Sequence, residues 1–185
     1  MHNITLGMIQ ALIQLIFSPE AAWRNLSNDA ERQHYLLPML VYPLLFIAAL
    51  SAFIPYWYGY VPISLAVKEA ILTLLKYSAC MLSATIAFVY LARYYFASDT
   101  DKKRLHIFVG YTFVIWLLTL IVGNILPSRF AFVQFAPIYI IWIVYQARDF
   151  LKIPAENIFS YTVVSSVVFL GLPFIWDKIF GLILR

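Results

Sequence analysis

An all-α, polytopic membrane helix bundle is the fold class this sequence predicts, and three observations carry it. Hydrophobic residues make up 63% of the 185 and charged residues 12%, whereas soluble domains run about 45 to 50% apolar and about 25% charged. Mean hydropathy is +0.83, more apolar surface than a soluble core of this size can hide. Long apolar stretches also recur along the chain, each near the roughly 20 residues that cross a hydrocarbon core, and Pro, Gly and charged residues punctuate them. The expected layout is a single membrane domain over residues 1–185, with a cytoplasmic or interfacial segment over 1–33. Five transmembrane helices follow at about 35–54, 70–96, 105–126, 130–147 and 158–176.

The second span organises the rest. Glu69, Thr73, Lys76, Cys80, Ser83 and Ala87 follow one another at alternating steps of four and three, which stacks them on one helix face. A charged group at mid-bilayer costs roughly 2.5 to 3.5 kcal/mol on insertion scales, so this stripe is expected to turn toward other helices or a wet cavity. Lys76 is its most consequential member. Either its flexible stem carries the ammonium back to the interface, or the group forms part of a functional polar site with Glu69, Thr73, Cys80, Ser83 and Asn124. Glu69 lies two turns away, too far for direct contact. Thr73 and Ser83 read as bonds between helices. Cys80 is the sole cysteine, so an intrachain disulfide and a cysteine metal cluster are excluded.

Upstream, residues 3–17 place Ile9, Leu12, Ile13 and Ile16 on one helical face and Asn3, Gln10 and Gln14 on another. Such a segment is too short to span; it is either an N-terminal amphipathic interfacial helix or a helix packed on the bundle. It lacks the basic flank of a secretory signal and is expected to be retained. Ser18-Pro19-Glu20 reads as a helix start, Trp23 is expected at headgroup depth, and Asn28 with Glu31 resembles a capping box. Pro38 and Pro43 predict a kink in the first span, and the aromatics between Pro55 and Pro62 an interfacial belt and turn.

Downstream, Asp99, Asp101, Lys102, Lys103 and Arg104 form the only dense charge cluster in the chain. Its basic members stand at a helix N-terminus, where the helix dipole disfavours them, so topology is the simplest reason for their presence. Gly110 and its neighbours in the third span allow close helix approach, and Asn124 can bond across helices. Pro127-Ser128-Arg129 reads as a turn, Gln134 and Pro137 lie in the fourth span, and Pro154 marks a new helix start. Asp177 and Lys178 are expected to close the fifth span, leaving a short apolar tail.

Five spans place the termini on opposite sides. Arg24, Arg32, Arg93, Lys102, Lys103, Arg104, Arg148 and Lys152 then share the N-terminal side, against Lys68, Arg129, Lys178 and Arg185 on the other. That bias predicts a cytoplasmic N-terminus and an outside C-terminus. The net charge of +4 is therefore read as loop charge, with no nucleic-acid partner. GxSxG, P-loop, GxGxxG and HExxH patterns are missing. His2, His34 and His106 fall near membrane edges without ligand spacing, so neither a metal nor a cofactor is expected.

The amphipathic start, the run Ser18-Pro19-Glu20-Ala21-Ala22-Trp23, the five hydrophobic spans and Gly110-Tyr111-Thr112-Phe113 in the third span together resemble bacterial members of the Yip family, the Ypt/Rab-interacting membrane proteins. The resemblance implies five spans, a cytoplasmic N-terminus and a place in the bacterial cytoplasmic (inner) membrane. Eukaryotic relatives bind Rab-type GTPases, but this chain lacks their long N-terminal region and their Asp-Leu-Tyr-Gly-Pro motif, which argues against that partner. The expected role is non-enzymatic: organising the lipid bilayer, other membrane proteins or further copies of itself through the cytoplasmic face, chiefly the N-terminal helix and the Asp99–Arg104 loop. The rival is a small-solute or ion transporter or channel along the Glu69–Ser83 stripe, aided by Asn124, Gln134 and breaks at Pro137 and Pro173.

Overall fold

The structure is a computed structural model that describes residues 2–95, 101–126 and 138–183. These residues form α1 (His2–Phe17), α2 (Pro19–Asn28), α3 (Ala30–Ser51), α4 (Ile54–Trp57), α5 (Ile63–Tyr95), α6 (Lys102–Ile125), α7 (Tyr139–Gln146) and α8 (Ile158–Ile183), with a 3-10 turn at Ala155–Asn157 before α8. Four stretches are long and apolar enough to cross a membrane: Ala30–Trp57, Ile63–Ala92, Lys102–Ile125 and Ala155–Ile183. The expected fourth span, 130–147, lies partly outside the described residues, as do Gln134, Pro137 and the turn at 127–129. Its described portion includes the eight-residue α7.

Several expected boundaries shift, each for a local reason. Asn28 closes α2 instead of opening a helix, and Asp29 caps α3 without a side-chain bond, so no capping box forms there. Pro19 does stand in the first turn of α2, and Glu20 pairs with Arg24 at 2.8 Å. Helix α3 carries Pro38 and Pro43 within one helical run. Helix α5 begins at Ile63, earlier than expected, directly after the turn at Gly59, whose φ of +74° suits a residue without Cβ. Helix α8 runs through Asp177 and Lys178 to Ile183. A pair of opposite charges does not break a helix that packing already holds.

Cross-helix pairs fix the directions. Glu31 with Lys103, Leu37 against Gly110 and Ser51 with Asn124 make α3 and α6 parallel neighbours. Lys76 with Asp177, Ser83 with Trp176 and Phe88 with Phe169 make α5 and α8 antiparallel. Phe108 with Tyr161, and Trp116 with Phe169, make α6 and α8 parallel.

The core is aromatic. Phe108 lies 5.2 Å from Phe88 and 5.3 Å from Phe169, and Phe113 lies 5.5 Å from Phe169, all near edge-to-face. Each such contact adds about 0.5 to 1.5 kcal/mol beyond area burial. Outside this core the usual polarity is reversed: Met39, Tyr42, Phe46 and Leu50 on α3, and Ile71, Leu75, Leu82 and Ile86 on α5, are exposed. Rows of apolar side chains facing outward on long helices are compatible with lipid as their solvent.

Trp23 ties α2 to the core. It is 1% exposed, inside the bundle; its ring packs 5.2 Å from Phe150 and 5.8 Å from Phe108, and its Nε1 donates to Ile143 O at 3.1 Å. On α1, Leu15 is buried while Ile13 and Ile16 are exposed.

Candidate functional site

Two places gather polar chemistry. The first is the seam between α5 and α8. Thr73 and Cys80 on α5 are buried. Lys76 Nζ donates to Asp177 Oδ1 at 2.9 Å, with the lysine side chain 18% exposed and the aspartate 60%, and it also stands 5.3 Å from the centroid of the Tyr77 ring. Ser83 Oγ donates back to Ala79 O at 2.7 Å and accepts from Trp176 Nε1 at 3.1 Å. Of the stripe, Thr73 and Cys80 are buried, and Lys76 and Ser83 bond to α8. Lys76 lies near the middle of the apolar stretch Ile63–Ala92.

Not every stripe residue joins this seam. Glu69 is exposed. Asn124 belongs to the α3–α6 seam, where it donates to Ser51 Oγ at 2.8 Å, and Ser51 in turn donates to Ala48 O at 2.6 Å. Sequence reasoning missed Asp177 as the partner of Lys76 because 101 residues separate them. The available signal was one acidic and one basic residue, each set in or beside an otherwise apolar run.

The second place is the pole where α3 and α6 begin. Asp101 caps α6 by accepting from Lys103 N at 3.1 Å. Lys103 Nζ donates to Glu31 Oε1 at 2.9 Å, and Arg104 Nη1 donates to Phe150 O at 2.9 Å with its guanidinium 5.6 Å from that ring. These partners offset the dipole penalty that made the basic run anomalous in sequence. Lys102 is exposed; Asp99 lies outside the described residues.

Around this pole, side chains bond to last-turn carbonyls of α7 that also accept from Ala147 N. Besides the Trp23 bond to Ile143 O, Tyr161 OH donates to Val144 O at 3.0 Å. Arg148 lies 4.3 Å from the centroid of the Tyr145 ring. Glu20, Trp23, Arg24, Ser27, Gln146, Asp149 and Phe150 line a groove of about 180 Å³ beside it. The hairpin of α1 and α2 closes this end: Asn25 Nδ2 donates to Gln14 Oε1 at 3.0 Å, and Tyr139 OH donates to Ile16 O at 2.9 Å.

No family model, curated protein or solved structure matches the chain. Its chemistry therefore rests on its own geometry. Among the described residues, no three His, Cys, Asp or Glu side chains converge as placed to hold a metal ion.

Proposed function

We propose that this is a non-enzymatic integral membrane protein with five crossings, resembling bacterial Yip-type proteins in layout, which organises lipid and protein partners on its cytoplasmic face. The observation that carries the reading is the α1–α2 hairpin. It is anchored to the bundle through Trp23, Leu26 and Leu15, yet it leaves Ile13, Ile16 and Phe17 exposed, Phe17 at 79%. With no Lys or Arg on α1, such a row favours apolar insertion into the leaflet over attraction to anionic headgroups.

Support for the fifth crossing comes from direction. Helices α6 and α8 are parallel, and Phe150 meets Arg104 at the opposite end of α6 from Ile125. The chain between Ile125 and Phe150 must return the length of α6, about 30 Å. A cytoplasmic N-terminus rests on the Lys and Arg bias. The rival transport path is disfavoured by the α5 stripe itself, whose Lys76 and Ser83 are engaged with α8.

The test uses a Cys80→Ala background in proteoliposomes, with Ile13→Cys, Ile16→Cys and Phe17→Cys spin-labelled in turn. Collision with oxygen but not with a water-soluble nickel chelate is expected at all three. Strong collision with the chelate would place the row in water and remove the proposal.

A further inference from the structure

The groove between α2 and the end of α7 carries charges of both signs around open space. Glu20, Arg24 and Ser27 from α2 line it with Gln146 and Asp149 from the end of α7, around about 180 Å³, room for several waters or one small polar group. Arg24 is paired with Glu20 at 2.8 Å, yet the two side chains are 73% and 59% exposed, and an exposed pair of this kind is readily exchanged for another partner. Asp149 Oδ1 lies 3.8 Å from Arg148 Nε, beyond hydrogen-bond reach, while the Arg148 guanidinium stands over the Tyr145 ring. The groove thus offers two carboxylates and one guanidinium, and the ligand that complements it bears both an ammonium and an anion. Trp23 and Phe150 form its floor and are buried, so no open aromatic face is presented to a quaternary ammonium. Phe17, the exposed last residue of α1, stands three residues before Glu20, at most about 11 Å of chain away. The rim of the groove is therefore next to the apolar row of α1.

We propose that this groove is the headgroup site of a phospholipid bearing a primary ammonium, the phosphoethanolamine class, with Glu20 and Asp149 accepting from the ammonium and Arg24 donating to the phosphate. The proposal rests on the reading of α1 as inserted in the leaflet, because the tails of such a lipid would lie against Ile16 and Phe17. A primary ammonium offers three donors, which Glu20, Asp149 and the amide oxygen of Gln146 can accept. A choline headgroup offers no N–H donor, and an anionic headgroup would meet two carboxylates with Arg24 alone in its favour. A lipid held here would join α2 to the end of α7 from outside, as Trp23 joins them from within.

The full chain, purified in mild detergent, is titrated with phosphatidylethanolamine, phosphatidylcholine and phosphatidylglycerol of identical tails, and with free glycerophosphoethanolamine, and bound species are counted by native mass spectrometry. One ethanolamine lipid per chain is expected to bind about fivefold or more tighter than either other lipid, and the soluble headgroup, which lacks tails, far more weakly. Asp149→Asn and Arg24→Gln, both on exposed side chains that leave the Trp23 anchor in place, are each expected to weaken it about fivefold. Asp149→Lys is expected to transfer the preference to phosphatidylglycerol, a gain that no folding defect produces. Equal binding of the three lipids, an unchanged preference in Asp149→Lys, or a soluble headgroup that binds as tightly as the lipid would overturn the site. So would binding of a lysine-containing peptide in place of the lipid, which would assign the groove to a protein partner. Spin-label collision at Phe17→Cys reports the insertion of α1 independently, so the two readings fail separately.

Discussion

Gly110 shows how one residue sets the distance between two helices. A methyl group there would come within 2.5 Å of Leu37 Cδ2, so α3 and α6 approach as closely as they do only because no Cβ intervenes. Gly110→Ala is expected to lower stability by about 1 to 3 kcal/mol, the usual range for overpacking, and Leu37→Ala in the same chain is expected to return part of that loss. Thermal unfolding of the purified protein reads both. Lys76 behaves differently. Its partner Asp177 is 60% exposed, which places the pair near the surface-bridge regime of about 0 to 1 kcal/mol. Lys76→Met and Asp177→Asn are therefore each expected to cost little, and the double variant little more. A loss of several kcal/mol in the same unfolding assay would mean that the pair holds the seam by itself.

At the scale of elements, the α1–α2 hairpin depends on Trp23. Trp23→Ala removes a buried ring and its bond to Ile143 O, and is expected to cost about 3 to 5 kcal/mol locally; the predicted readout is faster proteolysis and amide exchange in residues 10–28 with α5 unchanged. The long helices are legible in sequence because an apolar run of that length has few other solutions. Their ends are not. Asn28 carries a capping signature that loses to the turn made at Asp29, and Asp177 looks like a stop signal but is carried inside α8 by helix packing. The polar stripe of α5 is readable from spacing, since it follows helical period. Its partner helix is not, because Asp177 and Trp176 lie about a hundred residues downstream and periodicity holds no information about which helices meet. Trp23 escapes sequence reasoning for a related reason: burial against Phe108 and Phe150 is a tertiary contact, invisible in a segment that reads locally as interfacial.

For the whole molecule, charge and direction give one picture. Lys103, Arg104 and Arg24 cluster with Glu31, Phe150 and Glu20 at one pole, so this end is densely charged yet internally paired. Lys178 stands toward the far end of α8, whose other end lies against α7 near that pole. If the helices cross a bilayer as proposed, Lys102 and Lys178 face opposite compartments. The most direct measurement replaces Cys80 by Ala, introduces Lys102→Cys or Lys178→Cys, and exposes intact cells to a membrane-impermeant maleimide before and after permeabilisation. The account predicts labelling of Lys178→Cys in intact cells and of Lys102→Cys only after permeabilisation; labelling of both positions from the outside, or the reverse pattern, would contradict it.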